Sequence, residues 1–513
     1  MSAPDRTANR LTEIIARHVL ERPHAPAVTD SSGTLDWATF AARIEGVAAQ
    51  FVSLGVRPGS RIALWLPNDR DYLCAIFAAA RCGALVAHIN TRFGPSEVGD
   101  LLDRTNAEIL VTSGRAEPVD FLGIFARISP PQVARLRTII CVGGTPSKQG
   151  STWPTVLFDP RGSAPDVSTP GDPCLVFTTG GTTAKPKLVL HTQRSVTEHA
   201  ERVARVLGMD GPGTAHLGAV PFCGTFGNVS AMSMLAGGGQ VVCMKTFDAI
   251  QADRLIREHA ITHMVGDDRM LGRLAEAAEV SGAYRSIRFY GVGAFSTQLD
   301  GFWARGITAG LQPRAIYGSS EVHALFAVAL EQGRADDAVA PIDERAEFRI
   351  VQDGEGQDGA LLIRSPTLFA RYLDDDEATY AVKAENGFFA TGDLAAPASS
   401  GFVFRGRLGD VVRLGGFLVH PLEIESFLQT HEAVAEAQVV AVEKQGRSVI
   451  VAFVIPKGGS TFSEGQILDY CRARLAKFKV PARIHSIAEF PTSTGANGPK
   501  ISKSQLRSIA QLV

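Results

Sequence analysis

The sequence predicts an α/β protein built from at least two domains. Its 513 residues exceed the roughly 250 to 300 residues at which a single hydrophobic core stops growing. Short apolar strands alternate with helical patterns through most of the chain, which is typical of parallel sheets covered by helices. After about Arg345 this alternation gives way to short strands separated by Gly and Asp turns, which indicates a smaller antiparallel region.

The alternation of strand and helix can be followed along the chain. RIALWLPN predicts a strand and turn, and DYLCAIFAAARCGALVAHIN predicts an amphipathic helix that leads into another strand. Further strands are predicted at PCLVFTT, GGQVVCM, ITHMVG and SIRFYGVGA, with a helix around Ala252 to His259. We therefore expect a large body of stacked α/β subdomains, followed by a small β-rich subdomain that contains EFRIVQ, ALLIRS and GFVFRGR.

A separate α+β unit follows Arg407. It contains the predicted helices LEIESFLQT and SEGQILDYCRARLAK and the predicted strands VAEAQVVAV and SVIVAFVIP. Gly409 lies at the joint, where glycine tolerates large changes of backbone dihedral angle. The sequence therefore predicts an N-terminal domain of residues 1–408 and a small, mobile C-terminal domain of residues 409–513, with Gly409 as the hinge.

Composition excludes several classes of protein. The chain is 45% hydrophobic and 20% charged with a formal net charge of -2, which is ordinary for a soluble globular protein and predicts no nucleic-acid partner. No apolar run approaches the roughly 18 residues of a transmembrane segment, and the first residues lack a signal-peptide core, so we expect a cytoplasmic protein. The seven cysteines form no CxxC pair, which predicts buried thiols and no zinc or disulfide framework.

The segment CLVFTTGGTTAKPKLVLHT, residues 174–192, carries the clearest chemical signal. An apolar strand leads into glycines whose backbone N–H groups can converge on an anion, into hydroxyls that donate further hydrogen bonds, and into a cation. The segment lacks the Walker pattern. A phosphate-binding loop is predicted, with a polar surface turn as the alternative, and its candidate residues are Thr179, Gly180, Gly181, Thr182, Thr183 and Lys187.

This loop resembles the TSGTTGxPKG motif of the superfamily of acyl-CoA synthetases, peptide-synthetase adenylation domains and luciferases. Tyr317-Gly-Ser-Ser-Glu321 resembles its YGxTE motif, and Thr391-Gly-Asp393 resembles its TGD motif. GRLGDVVRLGGFLVHPLEIE, KFKVPARI and PKISKSQLR resemble the later motifs in order and spacing. The resemblance extends from Leu54 to Arg507, and the chain is identified as a member of this superfamily, closest in type to the acyl-CoA ligases.

The resemblance implies ATP, Mg²⁺ and CoA as cofactors. It makes Glu321 the ligand of Mg²⁺ and lets Ser320 hydrogen-bond a phosphate or carboxylate. Asp393 would accept hydrogen bonds from the ribose and Tyr317 would stack on the base. The further nucleotide-binding candidates are Gly293, Ala294, Gly318, Ser319 and Arg407. Without the resemblance, Glu321 would be a helix N-terminal residue, Asp393 and Arg407 turn residues, and the segment at residues 291–295 a plain strand end.

The resemblance also assigns roles in the C-terminal domain. Lys500 would bring positive charge to the developing acyl phosphate when this domain closes, although a lysine in a basic tail is ordinarily only solvated. Rotation about Gly409 would then place Arg413, Gly415 and Gly416 beside the pantetheine channel of CoA. Four extra residues in PTSTGANGPK predict that a longer loop delivers Lys500.

The acyl pocket is predicted from two positions at which the sequence differs from the usual residues of the superfamily, and from a set of apolar residues. Gly224 replaces a gate residue of many relatives, and Gln193 replaces a histidine that usually follows Thr192. Phe222, Phe226 and Val292 would form an apolar wall, which favours a bulky hydrophobic acid. His323 would either contact a polar substituent or be structural.

The phosphate loop also departs from the usual pattern at Gly180, Ala184 and Leu188. These changes leave three hypotheses. The first is an acid:CoA ligase. The second is a catalytically reduced relative, which binds an acyl adenylate or mainly carries out thioesterification of a preformed one. The third is an enzyme that loads a carrier-protein thiol in trans. Either a monomer or a homodimer is compatible with the sequence.

Overall fold

The computed structural model describes residues 8–512 apart from 116–118, 145–153, 180–185, 279, 294–298, 333–336, 353–357, 409–411, 415–416, 420, 445–446, 459–461, 476–478 and 496–497. The α-helices in this part of the chain are α1 (Leu11–Glu21), α2 (Trp37–Ser53), α3 (Arg70–Arg81), α4 (Pro95–Arg104), α5 (Phe121–Phe125), α6 (Gln193–Val206), α7 (Thr225–Gly237), α8 (Ala249–Glu258), α9 (Asp268–Ala277), α10 (Leu299–Thr308), α11 (Asp376–Val382), α12 (Pro421–Gln429), α13 (Glu464–Arg474) and α14 (Lys503–Leu512).

The strands of the N-terminal region are β1 (Pro26–Asp30), β2 (Gly33–Asp36), β3 (Arg61–Trp65), β4 (Leu85–His88), β5 (Ile109–Ser113), β6 (Thr138–Val142), β7 (Thr155–Leu157), β8 (Pro173–Thr178), β9 (Leu188–Thr192), β10 (Ala215–Gly218), β11 (Gln240–Cys243), β12 (His263–Asp267), β13 (Phe289–Gly293), β14 (Pro313–Tyr317), β15 (Ala327–Val328), β16 (Ala340–Pro341), β17 (Glu347–Val351), β18 (Gly359–Arg364), β19 (Arg371–Tyr372), β20 (Phe389–Ala398) and β21 (Gly401–Arg407). Those that follow are β22 (Val412–Leu414), β23 (Phe417–Val419), β24 (Val434–Lys444), β25 (Arg447–Pro456), β26 (Arg483–Ser486), β27 (Thr492–Gly495) and β28 (Gly498–Ile501).

Two large sheets form the N-terminal body. The nine-stranded sheet has the order β16-β15-β14-β13-β12-β10-β11-β1-β2 and is parallel from β14 to β1. The eight-stranded sheet has the order β19-β9-β8-β4-β3-β5-β6-β7 and is parallel from β8 to β7. Each parallel core continues into antiparallel strands, β15 and β16 in one sheet and β9 and β19 in the other. These antiparallel ends flank the predicted phosphate loop, between β8 and β9, and the Tyr317–Glu321 motif, which starts at the end of β14.

A hydrophobic core joins the two sheets through buried helices. It combines residues of α1, α2, α3, α6 and α7 with residues of strands from both sheets. Helix α7 is buried around its whole circumference, which is why its sequence shows no amphipathic period. Gly227 permits this packing, because a Cβ at that position would lie 2.4 Å from the Pro221 carbonyl oxygen.

The remaining described residues form smaller units. β17, β18, β20 and β21 make a four-stranded antiparallel sheet, as the change of texture after Arg345 predicts. In the C-terminal region α12 and α13 pack with a sheet of β24, β25 and β26, while β22–β23 and β27–β28 are two-stranded hairpins. The predicted fold class, a large α/β domain with a β-rich subdomain and a small α+β domain, is confirmed. The boundary between residues 408 and 409 stays a prediction.

Two expectations from composition can be compared with the structure. All seven cysteines are buried and free of disulfide bonds, as predicted. Among the described residues, no helix combines the length and apolar character that crossing a bilayer requires.

Candidate active site

The predicted phosphate loop joins two antiparallel strands at one end of the eight-stranded sheet. β8 ends at Thr178, which lies opposite Leu188 at the start of β9. The Thr179 N–H donates to the Lys187 carbonyl oxygen at 3.0 Å, and the Lys187 N–H donates to the Thr179 hydroxyl oxygen at 3.1 Å. These two bonds close the base of the loop. Gly180, Gly181, Thr182 and Thr183 lie outside the described residues, and their phosphate contacts stay predictions.

Glu321 lies on a tight turn that follows β14 at the end of the nine-stranded sheet. Residues Ser320–Val322 form one turn of 3₁₀-helix, in which Glu321 is only 8% exposed. Gly318 is required before this turn, because a Cβ there would lie 2.1 Å from the Ala324 carbonyl oxygen. His323 and Ala324 leave the turn with φ of 56° and 60°. Left-handed conformations are uncommon for such residues and cluster at functional sites.

A tyrosine fixes one oxygen of the Glu321 carboxylate. The Tyr372 hydroxyl donates to Glu321 Oε1 at 2.8 Å. Burial, and then the neighbouring Glu321 carboxylate, raise the pKa of this hydroxyl above its ordinary value, so it remains a donor. The Lys187 ammonium lies 4.6 Å from the centroid of the Tyr372 ring. The predicted metal ligand and the predicted loop cation are therefore brought together at one aromatic side chain.

Glu321 is chemically suited to Mg²⁺. Its Oε2 has no hydrogen-bond or ion-pair partner within the described part of the chain. No group of three or more His, Cys, Asp and Glu side chains in that same part forms a cage for a metal. Mg²⁺ is usually held by one or two carboxylates together with substrate phosphates and water, so a single available carboxylate oxygen fits it.

Ser320 lies against the beginning of helix α7. The Thr225 hydroxyl, at the first position of that helix, donates to Ser320 Oγ at 3.1 Å. The adjacent Ser319 hydroxyl is buried and has no hydrogen-bond partner among the described residues. The N-terminus of a helix favours negative charge. The arrangement therefore offers hydroxyls and a helix dipole to an anion beside Glu321.

The predicted ribose site is a buried carboxylate held by two other predicted residues. Asp393 is 3% exposed, and its Oδ2 accepts from the Tyr317 hydroxyl at 2.5 Å while its Oδ1 lies 3.0 Å from Arg407 Nε. Burial raises the pKa of Asp393, whereas Arg407 and the Tyr317 hydroxyl lower it. The Tyr317 ring packs against Phe402 and Phe404 with centroids 5.1 and 5.7 Å away. That Tyr317 also stacks on the base stays a prediction.

The predicted acyl wall is buried and apolar. Phe222 packs edge-on against Tyr72 with ring centroids 5.7 Å apart, and Phe226 and Val292 are buried in the same body. Gly224 is the N-cap of α7 and contributes no side chain there. Gly293 ends β13, and Ala294 lies outside the described residues. Contact of these residues with an acid or with a nucleotide stays a prediction.

His323 does not lie on an open surface. Its ring stacks on that of His199 with centroids 4.7 Å apart and contacts the tilted ring of His191 at 3.8 Å, and it is 2% exposed. His191 Nε2 donates to the Ser320 carbonyl oxygen at 2.9 Å. Burial lowers the pKa of His191 to about 4 and that of His199 to about 3, and it lowers the pKa of His323 well below its ordinary value. The structure thus favours the structural alternative for His323 over the predicted substrate contact.

Gln193 also has a structural position. Its Oε1 accepts from the Leu11 N–H at 3.1 Å, and its Nε2 donates to the Ala80 carbonyl oxygen at 2.9 Å. The side chain is fully buried and ties α1 to α3. The departure from the usual histidine therefore serves packing between helices.

For the candidates of the C-terminal domain, the structure gives the strand pairing of Lys500 and Arg413 only. Lys500 lies in the hairpin β27–β28, opposite Ser493, so the predicted longer loop is instead largely an antiparallel hairpin. Arg413 lies in the hairpin β22–β23, opposite Leu418. Gly409, Gly415 and Gly416 are outside the described residues. The roles predicted for these five residues stay predictions.

Comparison with known proteins places this site in a family. The family model of AMP-binding enzymes matches residues 15–373, and the model of the AMP-binding enzyme C-terminal domain matches residues 423–496. The first match alone covers more than half of the 513 residues. The chain belongs to the AMP-binding enzyme family. The predicted superfamily and the predicted class of enzyme, an AMP-forming acyl-CoA synthetase, are confirmed.

Relatives of this AMP-binding enzyme match nearly its whole length. It is 29% identical over 486 residues to the 3-[(3aS,4S,7aS)-7a-methyl-1,5-dioxo-octahydro-1H-inden-4-yl]propanoyl:CoA ligase of Mycobacterium tuberculosis, covering 91% of this chain and 92% of the relative. It is 28% identical over 525 residues to the indoleacetate–CoA ligase of Aromatoleum aromaticum, covering 97% and 98%. Its fold is similar to that of an o-succinylbenzoate coenzyme A synthetase from Bacillus subtilis in complex with AMP, with a TM-score of 0.81, 23% identity and coverage of 96% and 98%.

Sequence reasoning missed two residues of the site. Tyr372 and Thr225 contact Glu321 and Ser320 from elements far away along the chain. ARYLDDD and CGTFGN carry no charge pattern or spacing that singles out either residue. Only the pairing of β19 with β9 and the packing of α7 against the turn reveal them.

Proposed function

We propose that this AMP-binding enzyme is an acid:CoA ligase that activates a bulky, largely apolar carboxylic acid. The observation that carries the proposal is the meeting of the two sheet ends, where Lys187, Glu321 and Ser320 lie beside one another through Tyr372 and Thr225. Activation of an acid by ATP requires two anions to be held together and the charge between them to be neutralised.

In the first half-reaction, a carboxylate oxygen of the acid bonds to the α-phosphorus of ATP and the bond to pyrophosphate breaks. The loop closed by Thr179 and Lys187 would hold the phosphates, with the Lys187 ammonium adding positive charge. Asp393 would accept from the ribose hydroxyls through oxygens already oriented by Tyr317 and Arg407. Glu321 would hold Mg²⁺, which neutralises phosphate charge when it is bound.

In the second half-reaction, the sulfur of CoA bonds to the acyl carbonyl carbon, the bond to AMP breaks, and the thiol proton is released to solvent. Lys500 is proposed to act only in the first step, and Arg413 with Gly415 and Gly416 in the second. This division follows from the resemblance of their motifs, with Gly409 as the pivot between the two.

The proposed acid has a ring system or an extended apolar body. Phe222, Phe226 and Val292 are buried and apolar, and Gly224, the N-cap of α7, contributes no side chain beside the first two. The relatives named above act on a methyl-dioxo-octahydroindenyl propanoate and on indoleacetate, and a third is a feruloyl-CoA synthase from Streptomyces. These names support an aryl or polycyclic acid over a short polar one.

The alternatives are less favoured. A thioesterification enzyme with a weak first step has no support in the described base of the phosphate loop, where both bonds between Thr179 and Lys187 are formed. Transfer to a carrier-protein thiol in trans uses the same acyl adenylate and differs only in the acceptor. Both alternatives are outcomes of the experiment below.

The test measures pyrophosphate release and acyl-CoA formation in parallel with ATP, Mg²⁺, CoA and a panel of polycyclic, aryl, long-chain and short polar acids. We expect both products with a ring-bearing acid. Lys500→Ala should lose pyrophosphate release yet still convert a supplied acyl adenylate to acyl-CoA, and Lys457→Ala on the exposed surface should resemble wild type. A clear preference for short polar acids would refute the proposed substrate class. Pyrophosphate release without acyl-CoA would point to a carrier protein, and the reverse to the half-reaction enzyme.

A further inference from the structure

A short segment, residues 369–373, links the two motif-bearing sheet ends. The Ala370 N–H donates to the Leu190 carbonyl oxygen at 2.8 Å, and the Leu373 N–H donates to the Leu188 carbonyl oxygen at 2.7 Å. Residues 371 and 372 thus form strand β19, which pairs antiparallel with β9. Because β9 begins at Leu188, shortly after the phosphate loop, this segment lies beside the strand that anchors the loop.

The same segment also holds the Glu321 turn. The Phe369 N–H donates to the Glu321 carbonyl oxygen at 2.9 Å, and the Tyr372 hydroxyl donates to Glu321 Oε1 at 2.8 Å. Both the main chain and the side chain of Glu321 are thus bound by residues three positions apart. The position of Tyr372 is fixed in turn, because its N–H donates to the Thr379 hydroxyl oxygen at 3.0 Å.

The hydroxyl and the ring of Tyr372 contact two different groups of the site, the Glu321 carboxylate and the Lys187 ammonium. Its hydroxyl occupies Oε1 of Glu321 and leaves Oε2 available, which restricts rotation of the carboxylate. Its ring lies 4.6 Å from the Lys187 ammonium, a distance at which the aromatic quadrupole attracts a cation. A negative and a positive group from two different sheets are held by one rigid side chain.

We infer that Tyr372 is a positioning residue for ATP activation, which sets the Glu321 carboxylate and the Lys187 ammonium at a fixed separation. This inference rests on the proposed function, in which those two groups bind MgATP. Tyr372 touches neither substrate in this role and acts through the two residues it holds. Misplacing a charged group by about 1 Å is enough to slow a reaction by about 100-fold, so the hydroxyl and the ring each have a measurable share.

Two substitutions separate the hydroxyl from the ring. Tyr372→Phe keeps the ring under Lys187 and frees Glu321 Oε1, whereas Tyr372→Leu removes both contacts. Tyr284→Phe is the matched control, because the buried Tyr284 hydroxyl donates to the Leu274 carbonyl oxygen at 3.1 Å far along the chain from these motifs. The measurements are kcat and KM for ATP in pyrophosphate release, calorimetric binding of MgATP, and conversion of a supplied acyl adenylate to acyl-CoA.

The expected results differ between the variants. For Tyr372→Phe, kcat for pyrophosphate release should fall about 10- to 30-fold with KM for ATP changed less than about threefold, because charge placement is lost in the transition state. For Tyr372→Leu, MgATP binding should weaken by a further factor of about 5 to 10, since Lys187 is also released. Conversion of acyl adenylate should stay within about twofold of wild type in both variants.

A double-substitution cycle gives a readout that general destabilisation would not produce. If Tyr372 acts through Glu321, Tyr372→Phe should have little further effect on kcat in a Glu321→Gln protein. The inference is overturned if Tyr372→Phe behaves like Tyr284→Phe, or if its effect is undiminished in the Glu321→Gln background. It is also overturned if both half-reactions and the melting temperature fall together, which would show a purely structural role.

The failure of this inference can be told from failure of the proposed function. If the wild-type enzyme binds MgATP but releases no pyrophosphate with any acid, the proposed function fails. The calorimetric comparison of Tyr372→Leu with Tyr372→Phe still decides the inference in that case, because equal binding by the two variants would contradict it.

Discussion

The carboxylates of Glu321 and Asp393 have similar burial and similar hydrogen bonds, but only Asp393 lies beside a protein cation. Glu321 and Asp393 are both nearly buried, and each accepts a hydrogen bond from a tyrosine hydroxyl, that of Tyr372 at 2.8 Å and that of Tyr317 at 2.5 Å. Asp393 also has a cation 3.0 Å away in Arg407. Glu321 has no ion-pair partner within the described part of the chain.

The difference separates two tasks that the same chemical group can perform. A carboxylate neutralised by a protein cation can be kept ionised in a buried place and used to accept from neutral hydroxyls. A buried carboxylate with one oxygen still available is instead prepared for a cation that arrives with the substrate. We therefore expect Glu321 to be the more sensitive to loss of its charge, and Asp393 to loss of its geometry.

The largest effect is expected for Glu321→Gln. The amide is nearly the same size and can still accept from Tyr372, so the change removes mainly the negative charge. We expect pyrophosphate release to fall by about 10³-fold, since a metal held at phosphate oxygens contributes several kcal/mol to the barrier. Steady-state rates over a range of Mg²⁺ concentrations measure it.

The companion measurement is the melting temperature, which should stay within a few degrees of wild type because packing around the turn is unchanged. If Glu321→Gln retained more than a tenth of the wild-type rate at all Mg²⁺ concentrations, Glu321 would not be the metal ligand, and the contrast with Asp393 would lose its basis.

A smaller effect is expected for Asp393→Asn. The amide oxygen can still accept from Tyr317, but the second acceptor for the ribose and the ion pair with Arg407 are lost. We expect kcat/KM for ATP to fall about 100-fold, mainly through KM. Initial rates at varied ATP measure this split. A loss confined to kcat would contradict the assignment of Asp393 to nucleotide binding.

A still smaller effect at neutral pH is expected for Arg407→Met. Burial raises the pKa of Asp393 and Arg407 lowers it, so removal of this cation raises the pKa further. Asp393 then takes up a proton at a higher pH. In a plot of kcat/KM against pH, the acid limb should therefore shift to higher pH. We expect a loss of about tenfold near neutral pH that grows on acidification.

Arg405→Met is the matched control for this change. Arg405 lies two residues earlier in the same strand, and its Nε lies 3.6 Å from an Asp358 carboxylate oxygen, away from Asp393. Its pH profile should overlay that of wild type. An unchanged profile for Arg407→Met would mean that Arg407 does not control the ionisation of Asp393.

The contrast between the two carboxylates was only half visible in the sequence. The motifs containing Glu321, Asp393 and Arg407 were recognised, because each is a local pattern of a few residues. Tyr372 was not, since it reaches Glu321 by pairing of β19 with β9 across 51 positions of sequence. Contacts of this kind depend on how sheets meet, which local propensity and periodicity do not encode.

The secondary structure, too, is predicted only where local sequence patterns determine it. Strands such as β3 and β12 and helices such as α3 and α8 follow from periodicity, whereas α7 has no amphipathic face because all of its sides are buried. His323 was predicted as a possible substrate contact and Gln193 stands where relatives usually have a histidine, yet each is enclosed by partners from distant elements. A polar residue beside a motif can thus serve packing, and burial distinguishes the two cases.

The smallest effect at neutral pH is expected at two buried histidines near the Glu321 turn, His191 and His199. They make the stability of the folded chain depend on pH, and this dependence should differ between the regions around Glu321 and Asp393. His191 and His199 have pKa values lowered by burial to about 4 and about 3, against about 6.5 in an unfolded chain. Below pH 6.5 the unfolded chain therefore binds protons that the folded chain does not. The stabilisation is complete above pH 6.5 and is lost as the pH falls toward 4 and then 3.

His199→Asn removes one of these groups and should make the free energy of unfolding fall less steeply between pH 6.5 and 4.5, by about 1.4 kcal/mol for each pH unit. His24→Asn, at a side chain that is 87% exposed, is the control. Because His191 donates to the Ser320 carbonyl oxygen while no histidine of this group contacts Asp393, acidification should loosen the Glu321 turn first. Amide exchange followed by mass spectrometry should then show protection falling at residues 320–324 at a higher pH than at residues 391–393. Simultaneous loss at both places would mean that the two carboxylates share one cooperative unit despite their different partners.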